Sequence, residues 1–144
     1  MYHTLFENAR LLTLASGTFI NGATGGTANG MPTGEFQYHS VVFAGTFANN
    51  GTINVYACTN AGGSTPTIIR TLNIGSADGQ GAAIDINSNA LNEISPGTQF
   101  THLGAYGTVE SGGTWRGALF ILSTGARVAP PGTTGLAAYG SYLA

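Results

Sequence analysis

The chain has no lysine, and its only basic side chains are Arg10, Arg70, Arg116 and Arg127. Four scattered arginines and a net charge of −2 cannot supply the dense phosphate contacts that drive nucleic-acid affinity. No polybasic run is present to hold the chain on an anionic membrane, and no stretch approaches the ~18 apolar residues of a membrane span. Neither nucleic acid nor membrane is expected as a partner. Cys58 is the sole cysteine, so an internal disulfide is excluded and a cysteine-based zinc site lacks ligands. No secretory signal is read at the start: the first twenty residues carry no lysine, and Thr13 and Ser16-Gly17 break their apolar stretch. Synthesis in the cytoplasm is expected. Charged residues make up only 7% of the chain, against roughly 25% in an average soluble domain. So little charge protects weakly against self-association, and partners that cover the surface would explain it.

Apolar residues and glycine take up the difference. Hydrophobic side chains are 42% of the 144 residues, enough for one core and too many for a disordered chain. The 23 glycines are more than twice the usual share of about 7%. Between them run short segments of period-two alternation. Gln37 to Phe47 places Val41, Phe43 and Phe47 on one face, with Tyr38 and Val42 on the other. Asn49-Asn50-Gly51 reads as a hairpin turn, because Asn and Gly tolerate positive φ. Thr52 to Cys58 alternates again, with Ile53, Val55 and Ala57 on one face and Asn54 and Tyr56 opposite, and Thr65 to Ile74 puts Ile68, Leu72 and Ile74 on a face with Arg70. Ala82 to Ile86 and Thr98 to Val109 follow. Ser111-Gly112-Gly113 reads as the last hairpin turn, before an apolar strand from Thr114 to Ser123 that fits a central position. The fold class is therefore all-β: one antiparallel β-sandwich or barrel over residues 36–124.

Residues 1–35 read as an N-terminal arm and a glycine-rich linker, and 125–144 as a C-terminal arm. Gly22 to Gly34 has five glycines and reads as flexible or extended chain. The arms carry apolar anchors, Leu5, Phe6, Leu11 and Leu12 at one end and Leu136, Tyr139 and Tyr142 at the other, as an assembling subunit would use to reach its neighbours. The alternative is that both arms fold back over their own sheet.

No catalytic centre is expected, and no cofactor or metal. Two of His39, His102, Asp85 and Glu110 would have to converge in one cleft, yet no metal-like spacing and no nucleophile elbow is present. A hydrogen-bonded histidine at a sheet surface or interface is the simpler reading of His39 and His102. Arg70 and Arg116 lie within strands and are candidates for ion pairs, with Asp85 or across an interface, or for carbonyl bonds. Cys58 reads as a small buried hydrophobe. Trp115 sits in the most apolar strand, where core packing is expected; exposed, it would make the stacking platform of a carbohydrate-binding module.

Thr114 to Pro131 (TWRGALFILSTGARVAPP) resembles the C-terminal signature of small structural proteins of tailed bacteriophages, a strand of the type A-x-L-Y-I-L-S followed by x-x-R-Y-A-P. The matching residues are Ala118 to Ser123, then Arg127, Ala129 and Pro130; Val128 stands where an aromatic is usual. HSVVFAG, TINVYACTNAGGS and FTHLGAYGTV before it are similar in organisation, so the resemblance covers roughly residues 36–131. It implies a virion protein, a capsid decoration or cement protein on the outer shell. Its partners would be the major capsid protein and itself, as a homotrimer that bridges capsomers with terminal arms. A tail or head-fibre component, or a carbohydrate-binding adhesion module, is the alternative role.

Overall fold

The computed structural model describes residues 9–75, 81–94 and 97–126. The chain is all-β there. Strands β1 (Ala9–Pro32), β2 (Phe36–Phe47), β3 (Gly51–Cys58), β4 (Thr67–Ile74), β5 (Gly81–Asn87) and β6 (His102–Ala126) form one antiparallel sheet, with a seven-residue helix α1 (Ser88–Ile94) between β5 and β6. The hydrogen-bonded order is β4-β3-β6-β2-β5, and β1 lies along the other side of β6.

Register explains the shape. Residues 115–126 of β6 pair with β2, whereas residues 102–109 pair with β3. β1 follows β6 through both halves, from Ala9 opposite Thr124 to Pro32 opposite His102. β2 and β3 therefore behave as one long path bent near residues 48–50, and β4 and β5, which flank β3 and β2, as another. Four bent paths fold across their middles into two layers. The β2 layer holds residues 9–20, 114–126, β2 and β5; the β3 layer holds 22–32, 102–109, β3 and β4. This is the strand arrangement of a double-sheet jelly roll.

Both hairpin expectations need correction. The strands flanking Asn49-Asn50-Gly51 do not pair with each other, nor do those flanking Ser111-Gly112-Gly113, because each pair of segments lies end to end along shared neighbours. The same permissive residues make bends. Between Ile20 and Gly22 the partner on β6 jumps from Thr114 to Val109, so residues 110–113 bulge out of the ladder. The two bends lie side by side and are tied by Ala48 N–H to the Thr114 carbonyl (3.0 Å) and Glu110 N–H to the Asn50 carbonyl (3.0 Å).

The N-terminal expectation is corrected as well. Residues 9–32 are a sheet strand, not an arm with a linker, which is the fold-back alternative for that segment. Its glycines allow close approach: a Cβ at Gly25 would land on the Ala105 carbonyl oxygen, and one at Gly30 on that of Leu103. Met31, at the end of the supposed linker, is fully buried. A smaller correction concerns β4. A bulge at Val55/Tyr56 sets Arg70 opposite Val55 and Ile68 opposite Tyr56, so Ile69 enters the core and Ile68 is left 51% exposed.

One apolar cluster fills the space between the layers. Near the bends it is aromatic: Phe43 meets Phe19, Phe47 and Trp115 at centroid separations of 5.4, 4.8 and 5.5 Å. At the other end, α1 and the β1–β2 connection close the mouth of the fold. Asn87 Oδ1 accepts the Asn89 N–H (2.9 Å) and so caps α1, which buries Leu91.

Candidate functional site

Of the four residues of which catalysis would need two to converge, His39 and Asp85 border one surface pocket but point to opposite faces of the sheet. His39 faces the core from β2, while Asp85, one position away in register on β5, is exposed on the outside and accepts the Ser40 hydroxyl at 2.5 Å. His102 begins β6 beside Thr101, whose Oγ1 lies 2.8 Å from its Nδ1, and Glu110 is exposed in the bulge at the far end of the same half-strand. Among the described residues no three His, Cys, Asp or Glu side chains could hold a metal ion, and no helix is long and apolar enough to cross a membrane.

His39 is buried rather than at a surface. Its Nδ1 lies 2.6 Å from Ser123 Oγ and its Nε2 2.7 Å from Ser88 Oγ, and the Ser88 hydroxyl faces the carbonyls of Phe36 (2.7 Å) and Thr33 (2.9 Å). The Ser88 proton is committed to those carbonyls, so Nε2 carries the ring proton and Nδ1 accepts from Ser123. With Ser123 fully buried and Ser88 nearly so, this network clasps β2, β6, α1 and the β1–β2 connection at the mouth.

The other singled-out side chains are also placed. Trp115 is fully buried, with Phe47 edge-on at 4.9 Å and its indole N–H on the Asn49 carbonyl, so it offers no stacking platform. Arg70 donates to the carbonyl of its neighbour Ile69 (2.8 Å), the carbonyl option, and Arg116 is exposed on the outer side of the β2 layer. Among the described residues the ion pair formed is Arg10–Glu35, at 3.5 Å. Cys58 is buried, and burial pushes its thiol pKa up. Leu11 and Leu12 stand in β1 opposite Leu122 and Ile121, with Leu12 packed on the core. Leu5, Phe6, Leu136, Tyr139 and Tyr142 lie outside the described residues.

What the molecule presents is two outer faces of different chemistry. On the β2 layer the cross-strand rows read Leu11–Leu122–Ser40–Asp85, Thr13–Phe120–Val42–Ala83 and Ser16–Ala118–Ala44–Gly81. Leu11, Val42, Phe120 and Leu122 are half-buried there, and Tyr38 beside them is 55% exposed. Among the described residues, charge on this face lies at its border, with Asp85 on the edge strand and Arg116 near the bend. The expected central strand is central in hydrogen-bonding order, but its outer face is only partly covered. On the β3 layer the rows read Thr108–Thr52–Asn73 and Tyr106–Asn54–Thr71, and Tyr56 stands opposite both Gly104 and Ile68. Period-two alternation in the sequence was the signal for both faces; the bulge at Val55 and the bends decided which residues share a row.

No family model and no curated protein matches the chain. Among solved structures, a chain of the disulfide-linked pili that form Bacillus endospore appendages is similar over 82% of this chain and 84% of that one, with 17% identity and a TM-score of 0.33, too distant a likeness to bear on function.

Proposed function

We propose that the chain is a structural virion protein, a decoration or cement subunit on the outer surface of a tailed-phage head. The observation that carries this reading is the half-exposed apolar face of the β2 layer, built on the Ala118–Ser123 strand that bears the phage-like signature. Leu119 and Ile121 of that strand fill the core while Ala118, Phe120 and Leu122 point outward. Contiguous apolar surface of this kind marks an interaction site. Docked on the major capsid protein, it stabilises the assembled shell by mass action, since a ligand that binds only the assembled state favours that state. Leu5, Phe6, Leu136, Tyr139 and Tyr142 add contacts to neighbouring subunits of a homo-oligomer, a trimer in the family resembled, and many weak contacts on one shell add through effective concentration. A jelly roll by itself does not discriminate, because the same architecture serves capsid and lectin domains.

Quantitative mass spectrometry of purified particles tests the proposal. A copy number within a few-fold of the major shell protein is expected. A handful of copies would make the chain a tail or fibre component, and absence from particles would overturn the virion role.

A further inference from the structure

The outer face of the β3 layer is not used in docking through the β2 layer, and its chemistry differs. Where it meets the bend it carries a groove of about 500 Å³ whose walls mix the polar side chains of Asn50, Thr52, Asn73, Thr108 and Glu110 with apolar surface from Ile74 and Val109. One row further along the strands, Tyr106 stands between Asn54 of β3 and Gly25 of β1, and its ring meets Tyr56 edge-to-face at 5.5 Å. Alternate residues on one face of a strand are about 7 Å apart, so the strip from Glu110 past Thr108 and Tyr106 to the level of Tyr56 runs about 20 Å.

The geometry points to a binding site for a neutral oligosaccharide chain along this strip. Asn50, Asn73, Thr52 and Thr108 offer amide and hydroxyl groups that both donate and accept, which suits sugar hydroxyls. Glu110 is exposed, and its backbone N–H bond to the Asn50 carbonyl fixes its place at the rim. Its carboxylate accepts from a pair of adjacent hydroxyls. Tyr56 and Tyr106 supply apolar ring surface with a polar tip, the combination that packs on the C–H face of a pyranose. Asn54 is oriented by the Thr71 hydroxyl, which donates to its Oδ1 at 2.8 Å. An acidic glycan is disfavoured: Glu110 would repel it, and Arg70, the one cation of β3 and β4, already donates to the Ile69 carbonyl. Trp115 takes no part, being enclosed in the core.

The site stands apart from the virion role and is tested on the isolated full chain. Amide chemical shifts are followed by NMR during titration with hexasaccharides of β-1,4-glucan, α-1,6-mannan and β-1,4-galactan. Saturable shifts are expected with at least one of them at Thr52, Tyr56, Asn73, Tyr106 and Thr108, with Trp115 fluorescence unchanged. Glu110→Gln, and Asn73→Ala on the exposed edge strand, should each weaken binding about tenfold, or about 1.4 kcal/mol, with spectral dispersion retained. No saturable shift with any of the three sugars, shifts confined to the β2 layer, or wild-type affinity in both variants would overturn the site. None of these outcomes depends on particles.

Discussion

The indole N–H of Trp115 donates to the carbonyl of Asn49 at 2.8 Å, joining the strand just past the bulge of one bent path to the bend of its neighbour. Two residues 66 apart in sequence thereby hold the fold line on which the jelly roll closes, and the ring beneath the bond anchors the aromatic cluster.

Trp115→Phe is expected to cost about 2 kcal/mol or more, from lost ring volume and an unsatisfied Asn49 carbonyl. Urea unfolding measures it. A loss below about 0.5 kcal/mol, the scatter of surface substitutions, would mean that the fold line is held elsewhere.

Gly17, Gly117 and Gly45 form one cross-strand row, and a Cβ at Gly117 would fall on the Ala44 carbonyl oxygen. Gly117→Ala should therefore destabilise by about 2 kcal/mol or more. Gly34→Ala, with nothing within 4 Å of the added carbon, should be neutral or stabilising by up to about 1 kcal/mol. Thermal melts that rank the two alike would contradict the close approach.

Ser123→Ala removes the buried hydroxyl 2.6 Å from His39 Nδ1, and the loss of that hydrogen bond should cost about 1 kcal/mol. Hydrogen exchange should speed up first in α1 and the start of β2, which the clasp holds at the mouth. Uniform acceleration over the whole sheet would show that the clasp has no local role.

Burial raises the Cys58 thiol pKa, so the folded chain holds that proton more tightly than the unfolded chain does. The resulting stability is fully present below the ordinary thiol value, about 8.5, and is lost as pH rises toward the raised one. Native Cys58 should resist thiol reagents at pH 8 and react on unfolding, while Cys58→Ala flattens the alkaline decline in stability. Rapid modification of the native protein would refute this.

Phe120→Asp on the outer face of the β2 layer should leave the melting temperature within a few degrees; under the proposed capsid role it should also reduce occupancy of phage heads at least tenfold, whereas Thr71→Asp on the opposite layer should leave occupancy unchanged. Deleting residues 127–144 should weaken head binding with the sheet intact. Deleting residues 1–20 should unfold the chain, because Phe19 and the Leu12 wall of the core go with it. Equal occupancy for Phe120→Asp and wild type would remove the docking face.

Local pattern alone was enough for the all-β class, for the positions of β2, β3 and β5 to within a residue or two, and for most inward side chains. Val41, Phe43, Ile53 and Val55 are inside because a strand's side chains alternate whatever the strand pairs with. The buried tryptophan followed from the same logic, as did the buried thiol of Cys58. Pairing did not follow. Backbone hydrogen bonds do not depend on side-chain identity, so Asn49-Asn50-Gly51 and Ser111-Gly112-Gly113 fit a hairpin and a bend equally well until their neighbours are known. The glycines of residues 22–34 looked like slack because only the strand opposite, with its carbonyls in van der Waals reach, shows why side chains are excluded there. Ser88, His39 and Ser123 meet from three distant segments, and no local spacing marks them. Composition and alternation determined what is buried in β2 and β3 apart from His39; the folding of four long paths across one line decided the rest, which residues meet, and with them the two faces the protein offers to its surroundings.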